Sequence, residues 1–159
     1  NTCFMNSILQ CMVHCAEWAE AFGRSGSLRV PTSRRTSLAQ AFSEVVKQLV
    51  GETRSSLVYS PTSFLNCVSS WDRRFAGGRQ HDSQEFLHCL LDGLQSECNR
   101  VKEKPKYKEL QGKGTEAEQA DEAWQYAKSW HDSIVDDVCQ GQLQSTVTCS
   151  RCKRSSYCF

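Results

Sequence analysis

Residues 1–15 read NTCFMNSILQCMVHC. Met5, Ile8, Leu9 and Met12 recur at the three- and four-residue steps of one helical face. Ala16 and Ala19 continue the series, and Gly23 follows as a stop. The spacing predicts one helix from about Cys3 to Phe22, with Cys3 in its first turn. A helix start presents unpaired backbone N–H groups and about half a positive charge, and both favour an anion. The thiolate is the nucleophilic form of cysteine, and the same N–H groups can later hold an oxyanion. Position alone leaves two readings of Cys3 open. It is a nucleophile, or it is one more of ten cysteines, most of them packed as small apolar side chains.

Working outward, a second helix is expected over about Ser37 to Val50. Leu38, Ala41, Phe42, Val45, Val46 and Leu49 form its stripe, and Gly51 ends it. Ser60-Pro61 reads as an N-cap followed by the first position of a helix carrying Phe64, Leu65, Val68 and Trp71. Residues 81–101, HDSQEFLHCLLDGLQSECNRV, form the most strongly patterned helix, with Phe86, Leu87, Leu90, Leu91 and Leu94 as its buried face. Asp82 and Glu85 have capping-box spacing, with Asp in place of Ser or Thr. Loops are expected at Gly23–Arg35 and at RRFAGGRQ, residues 73–80. Lys102–Glu118 is charged, nearly without apolar residues, and reads as a mobile insertion. A last helix is expected from about Ala120 to His131. Residues 139–159, CQGQLQSTVTCSRCKRSSYCF, read as strand, turn, strand, with CSRC at the turn. The chain thus divides into a helical part, residues 1–135, and the start of a β-rich part, residues 136–159.

The 19 basic and 18 acidic residues leave a formal charge of +1, which gives no reason to expect nucleic acid or an anionic membrane as partner. No apolar run approaches the roughly 20 residues that span a bilayer. A disulfide framework is normally small and poor in long helices. Here Cys11, Cys15, Cys67 and Cys89 fall inside helical patterns, so a reducing compartment is expected, cytoplasmic or nuclear. The chain begins without Met and stops within a strand-like segment, so a piece of a longer domain is expected.

Three segments carry a family resemblance. NTCFMNSILQC resembles the cysteine box of the ubiquitin-specific proteases, the papain-like deubiquitinating enzymes. QHDSQEFLHCLLDGL resembles their second signature, and GQLQSTVTCSRC their third. They occur in the family's order and span nearly the whole chain. The resemblance implies an α+β, papain-like cysteine peptidase fold. Its mainly α-helical, thumb-like half would precede the first β-hairpin of a zinc-ribbon-like fingers region. It implies that Cys3 is the catalytic nucleophile of a thiol protease that cuts after the C-terminal glycine of ubiquitin, the partner being ubiquitin or a ubiquitinated protein.

The resemblance implies that Asp82 occupies the family position that holds the arginine-bearing ubiquitin tail, with Glu85 a second candidate. Each is also read as a helix-capping residue only. Gln80 and Gln84 are expected to tie this helix to the loop before Cys3. Cys149 and Cys152 have the CxxC spacing of half a structural zinc site; Cys139 and Cys158 are conceivable further ligands without a motif. The family's base, a His oriented by Asp or Asn, matches none of His14, His81, His88 and His131. His14 lies eleven residues along the first helix from Cys3, about 16 Å away at ~1.5 Å per residue. His81 is expected to line the cleft or serve structure. These residues alone are therefore expected to be inactive. Three alternatives remain open: an inactive ubiquitin-binding scaffold, a protease for a ubiquitin-like modifier, and a zinc-ribbon interaction module.

Overall fold

The computed structural model describes residues 1–23, 37–50 and 58–159. The expected loop at Gly23–Arg35 and the stop at Gly51 lie, beyond Gly23 itself, outside the described residues. The elements in chain order are α1 (Cys3–Val13), α2 (Ala16–Phe22), α3 (Leu38–Val50), α4 (Thr62–Trp71), a 3-10 turn (Arg73–Phe75), α5 (Ser83–Cys98), α6 (Glu116–Trp130), α7 (Ile134–Cys139), β1 (Ser145–Thr148) and β2 (Ser155–Cys158). They group into two compact units, Asn1–Cys98 and Asn99–Phe159. Helices with one small sheet match the expected mixed make-up. The change from helix to strand expected at about residue 135 comes after α7.

The first unit is built around one phenylalanine from each of the five α-helices among its described residues. Phe4, Phe22, Phe42, Phe64 and Phe86 are each at most 4% exposed. Phe22 meets Phe42 at 4.9 Å between ring centroids, Phe42 meets Phe64 at 6.2 Å, Phe64 meets Phe86 at 6.5 Å, and Phe86 meets Phe4 at 5.4 Å. Phe75, from the 3-10 turn, joins Phe86 at 5.6 Å. Each buried ring contributes about 1.5–3 kcal/mol, and the edge-on pairs add to that.

The single first helix expected over Cys3–Phe22 is two helices. Cys15 is extended (φ −84°, ψ 125°), so the helical phase restarts at Ala16. Two side chains ease the break. His14 Nδ1 bonds to the Gln10 carbonyl at 2.7 Å, and the Cys15 thiol donates to the Cys11 carbonyl at 3.4 Å. The restart turns Trp18, Ala21 and Phe22 inward in place of the expected Ala16 and Ala19, while α1 buries Phe4, Met5, Leu9, Met12 and Val13.

Helix α4 starts at Thr62, one residue later than expected, and Ser60 does not cap it; its hydroxyl bonds instead to that of Thr62 at 3.0 Å. On α5 the buried positions are Phe86, Cys89, Leu90, Gly93 and Leu94, whereas Leu87 and Leu91 are half-buried. Gly93 permits close packing, since a Cβ there would lie 2.3 Å from Leu38 Cδ2 and 3.3 Å from Trp71 Cε2. The RRFAGGRQ segment is partly ordered into the 3-10 turn, capped by Asp72, whose Oδ1 accepts from the Arg74 N–H at 2.9 Å. Gly77 and Gly78 (φ +86° and +68°) then turn the chain towards α5 in a conformation that suits glycine.

The far end of α5 holds α3. The Glu97 carboxylate accepts from the backbone N–H groups of Leu38 (3.1 Å) and Ala39 (2.9 Å) and from the Ser37 hydroxyl (2.6 Å). Ser37 Oγ in turn accepts from the Gln40 N–H at 3.2 Å. A residue 60 positions away thus caps α3 and meets the positive end of its dipole.

In the second unit α6 begins at Glu116, not at about Ala120. Thr115 and Glu118 form a full capping box, so the end of the expected insertion is helical. Within that insertion Lys108 is tied to α6, through its N–H to the Tyr126 hydroxyl (3.0 Å) and its Nζ to Glu122 Oε1 (2.5 Å). Asn99 and Arg100 organise the start of the unit. Asn99 Oδ1 accepts from the N–H groups of Val101 and Asp132, and Arg100 pairs with Asp132 and Asp137. Strands β1 and β2 pair antiparallel, from Ser145↔Cys158 to Thr148↔Ser155, with CSRC at the turn as expected.

Glu97→Ala leaves the Leu38 and Ala39 N–H groups and the Ser37 hydroxyl without their acceptor. It should lower unfolding free energy by about 1–3 kcal/mol in the protein that carries this chain. Glu97→Gln, which retains one acceptor, should cost less. Urea denaturation of both variants checks the order.

Candidate active site

Cys3 is the first residue of α1 and is exposed. Thr2 stands at the N-cap without a side-chain capping bond, so the first N–H groups of α1 are open to a ligand. The Cys3 thiol donates a long hydrogen bond, 3.5 Å, to Asn1 Oδ1. Helix α5 starts alongside. Phe4, which follows Cys3, packs edge-on to His81 at 5.0 Å and to Phe86 at 5.4 Å. His81 in turn precedes Asp82. A Cβ on Gly78 would come within 4.0 Å of the Asn1 nitrogen, so the loop leading into α5 passes the start of the chain.

Asp82 is exposed, and its Oδ1 accepts from the N–H groups of Gln84 (2.6 Å) and Glu85 (3.3 Å). That is the capping role. Oδ2 has no hydrogen-bond partner among the described residues. The two alternatives for Asp82, cap and substrate contact, therefore use different oxygens.

Gln80, Gln84 and Glu85 are exposed, and their side chains make no hydrogen bond to a described residue. Glu85 instead helps line a pocket of about 280 Å³ with Trp71, Asp72, Arg74, His88, Cys89 and Asp92. Sequence reading missed this pocket, because its wall is assembled from α4, the 3-10 turn and α5.

None of the four histidines makes a hydrogen bond to Cys3. His14 is the C-cap of α1, His131 that of α6, and His88 lies on the pocket wall. His81 is half-buried between Phe4 and Phe75, and its Nε2 finds no hydrogen-bond partner among the described residues.

The cysteines divide by environment. Cys89 is 7% exposed, and burial, with the Asp72 carboxylate next, pushes its thiol up to about 11. Burial also raises the Cys67 thiol, with Glu97 adding to it. Cys149, exposed at the hairpin turn, is lowered because the backbone N–H groups of Cys152 and Arg151 point at its sulfur. Cys149 and Cys152 stand together at this turn, and the Lys153 N–H donates to the Cys149 carbonyl at 2.9 Å. No group of three or more metal-binding side chains is present among the described residues. The turn therefore offers two sulfur donors only.

Residues 1–158 match the family model for ubiquitin carboxyl-terminal hydrolase. The chain belongs to this family. It is similar to Arabidopsis thaliana ubiquitin carboxyl-terminal hydrolase 8, at 40% identity over 164 residues that cover 100% of this chain and 19% of that protein. Against Arabidopsis thaliana ubiquitin carboxyl-terminal hydrolase 9 the identity is 41% over 165 residues, again 100% of this chain and 18% of the relative. Against Mus musculus ubiquitin carboxyl-terminal hydrolase 4 it is 34% over 165 residues, 100% of this chain and 17% of the relative. The chain thus spans less than a fifth of the length of these relatives. No described helix is long and apolar enough to cross a membrane.

A thiol held protonated resists alkylation. At pH 8 Cys89 should stay unlabelled by iodoacetamide in the folded protein, and its labelling should rise only as pH approaches about 11 or on unfolding. Peptide mapping across a pH series checks this.

Proposed function

We propose that this chain carries the nucleophile and part of the substrate-tail site of a deubiquitinating cysteine peptidase. The observation that carries the reading is the pairing of two helix starts. Exposed Cys3 opens α1, and Phe4 packs its first turn against the start of α5, where Asp82 keeps one carboxylate oxygen unbonded. The Cys3 sulfur would attack the carbonyl of the ubiquitin C-terminal glycine, and the substrate's lysine amine or peptide amine would leave. Water would then hydrolyse the thioester. The N–H groups at the start of α1 would stabilise the oxyanion. The base is assigned to none of the four histidines here; in this reading a His oriented by Asp or Asn would be supplied elsewhere in the full-length protein. Asp82 Oδ2, with Glu85 behind it, would pair with an arginine of the ubiquitin tail.

Cys149 and Cys152 would supply half of a tetrahedral zinc site at the tip of a fingers hairpin. The N–H groups that lower the Cys149 thiol also favour the thiolate such a ligand needs. Zinc there would act structurally. Metal analysis of the purified full-length protein should find zinc that Cys149→Ser removes. Equal zinc in both would assign the metal elsewhere. The cysteine-rich helices fit a reducing, cytoplasmic or nuclear setting.

In the full-length protein Cys3→Ala should abolish cleavage of a fluorogenic ubiquitin amide. A ubiquitin C-terminal electrophile should modify Cys3 and no other cysteine. Asp82→Asn retains an oxygen for the cap, so it should lower kcat/KM about ten- to a hundredfold with little change in Tm. Unchanged kcat/KM would leave Asp82 a helix cap alone, and turnover by Cys3→Ala would overturn the assignment of the nucleophile.

A further inference from the structure

The start of α1 is weakly held by its own chain. Thr2 supplies no side-chain cap, and the thiol of Cys3 has only the 3.5 Å bond to Asn1. An uncapped first turn frays, and a frayed turn would carry the nucleophile with it. The start of α5, by contrast, is capped by Asp82. The first turn of α1 is held by two buried side chains, Met5 at 1% and Phe4 at 4% exposure, and Phe4 is wedged among Phe75, Phe86 and His81. Phe75 and Phe86 are core rings. His81 is the odd member, an imidazole edge-on to Phe4 at 5.0 Å and to Phe75 at 5.2 Å. Its buried Nε2 has no hydrogen-bond partner among the described residues. The imidazole thus meets its neighbours as a flat ring, through shape.

We propose that His81 is a positioning residue whose ring, pressed on Phe4, fixes the first turn of α1 and hence the Cys3 sulfur relative to the start of α5. The role rests on the reading of Cys3 as nucleophile. It predicts a particular kinetic pattern. A displaced nucleophile slows the chemical step, because a shift of about 1 Å can cost up to about a hundredfold. Substrate affinity should hardly change, because the ring contacts Phe4 and Phe75 and the tail is assigned to Asp82. The field of the helix start at Cys3 should also weaken as the turn frays, so a small electrophile should react more slowly.

The test uses the full-length protein with His81→Ala, His81→Gln and His81→Phe. On a fluorogenic ubiquitin amide, His81→Ala should lower kcat about ten- to a hundredfold with KM within about twofold of the parent. His81→Phe, which keeps the ring and removes the orphaned nitrogen, should restore kcat to within about threefold and leave Tm no lower. His81→Gln, which keeps polarity and loses the ring, should remain near His81→Ala. Chloroacetamide alkylation of Cys3, followed by mass spectrometry, should slow in the Ala and Gln variants and recover in Phe. Parental kcat in His81→Ala, or restoration by Gln as complete as by Phe, would overturn the proposal. Should His81→Ala not fold, the contrast between Phe and Gln decides. A parent without ubiquitin turnover would overturn the deubiquitinase reading instead, and the alkylation series would still decide the positioning role.

Discussion

The first unit depends on the burial of Phe86. It is fully buried and meets Phe4 of α1, Phe64 of α4 and Phe75 of the 3-10 turn. These rings come from three separate stretches of the sequence, and their packing helps set how the start of α1 approaches the start of α5. The same helix is anchored at its other end by Glu97, which closes the start of α3. With both ends of α5 committed, His81 packs on Phe4, and Asp82 follows it as the cap of α5. The site is a by-product of a helix tied at two points.

That geometry gives identical side chains opposite surroundings. Cys3 lies at a helix start, exposed, with unpaired N–H groups ahead of it. Cys89 lies in the body of α5, where burial first and the Asp72 carboxylate second push its thiol up to about 11. A cysteine count cannot separate them; their places on a helix can. Asp72 is itself held below the ordinary carboxylate range by its hydrogen bonds from Arg74. Its negative charge is thus present on the Cys89 side throughout the neutral range.

Periodicity located most helices because their stripes are long. Leu38, Phe42, Val45 and Val46 on α3, and Phe86, Leu90 and Leu94 on α5, were legible for that reason. The break at His14–Cys15 was not. Met5, Leu9 and Met12 continue in phase into Ala16 and Ala19, and small alanines fit either side of a helix. The extended Cys15 moves the inward face to Trp18 and Phe22. The capping box at Thr115 and Glu118 was readable by spacing but lay inside a run of charge. Cys3 and Asp82 could be placed at helix starts from local pattern, while the roles expected of them came from the family resemblance. The Glu97 clasp, the His81–Phe4 contact and the pocket beside Glu85 could not, since each joins residues far apart in sequence.

The second unit is held differently. Its α6 has no fully buried residue, and Val135 is the one buried apolar side chain found there among the described residues. Polar ties replace a core: Asn99 to Asp132, Arg100 to Asp132 and Asp137, and Ser133 to Asp136 at 2.6 Å. Its hairpin is two short strands with Leu143 and Val147 exposed, and a two-stranded ribbon alone is marginal in water. Exposed surface ion pairs contribute little each, about 0–1 kcal/mol. A metal clip stabilises most when it closes a long loop, so a metal at the hairpin turn would gain little from the turn cysteines alone and most from ligands distant in sequence. Cys149 and Cys152 stand at that turn. A structural metal joined to them and to such distant ligands would act where the fold has least of its own to hold it.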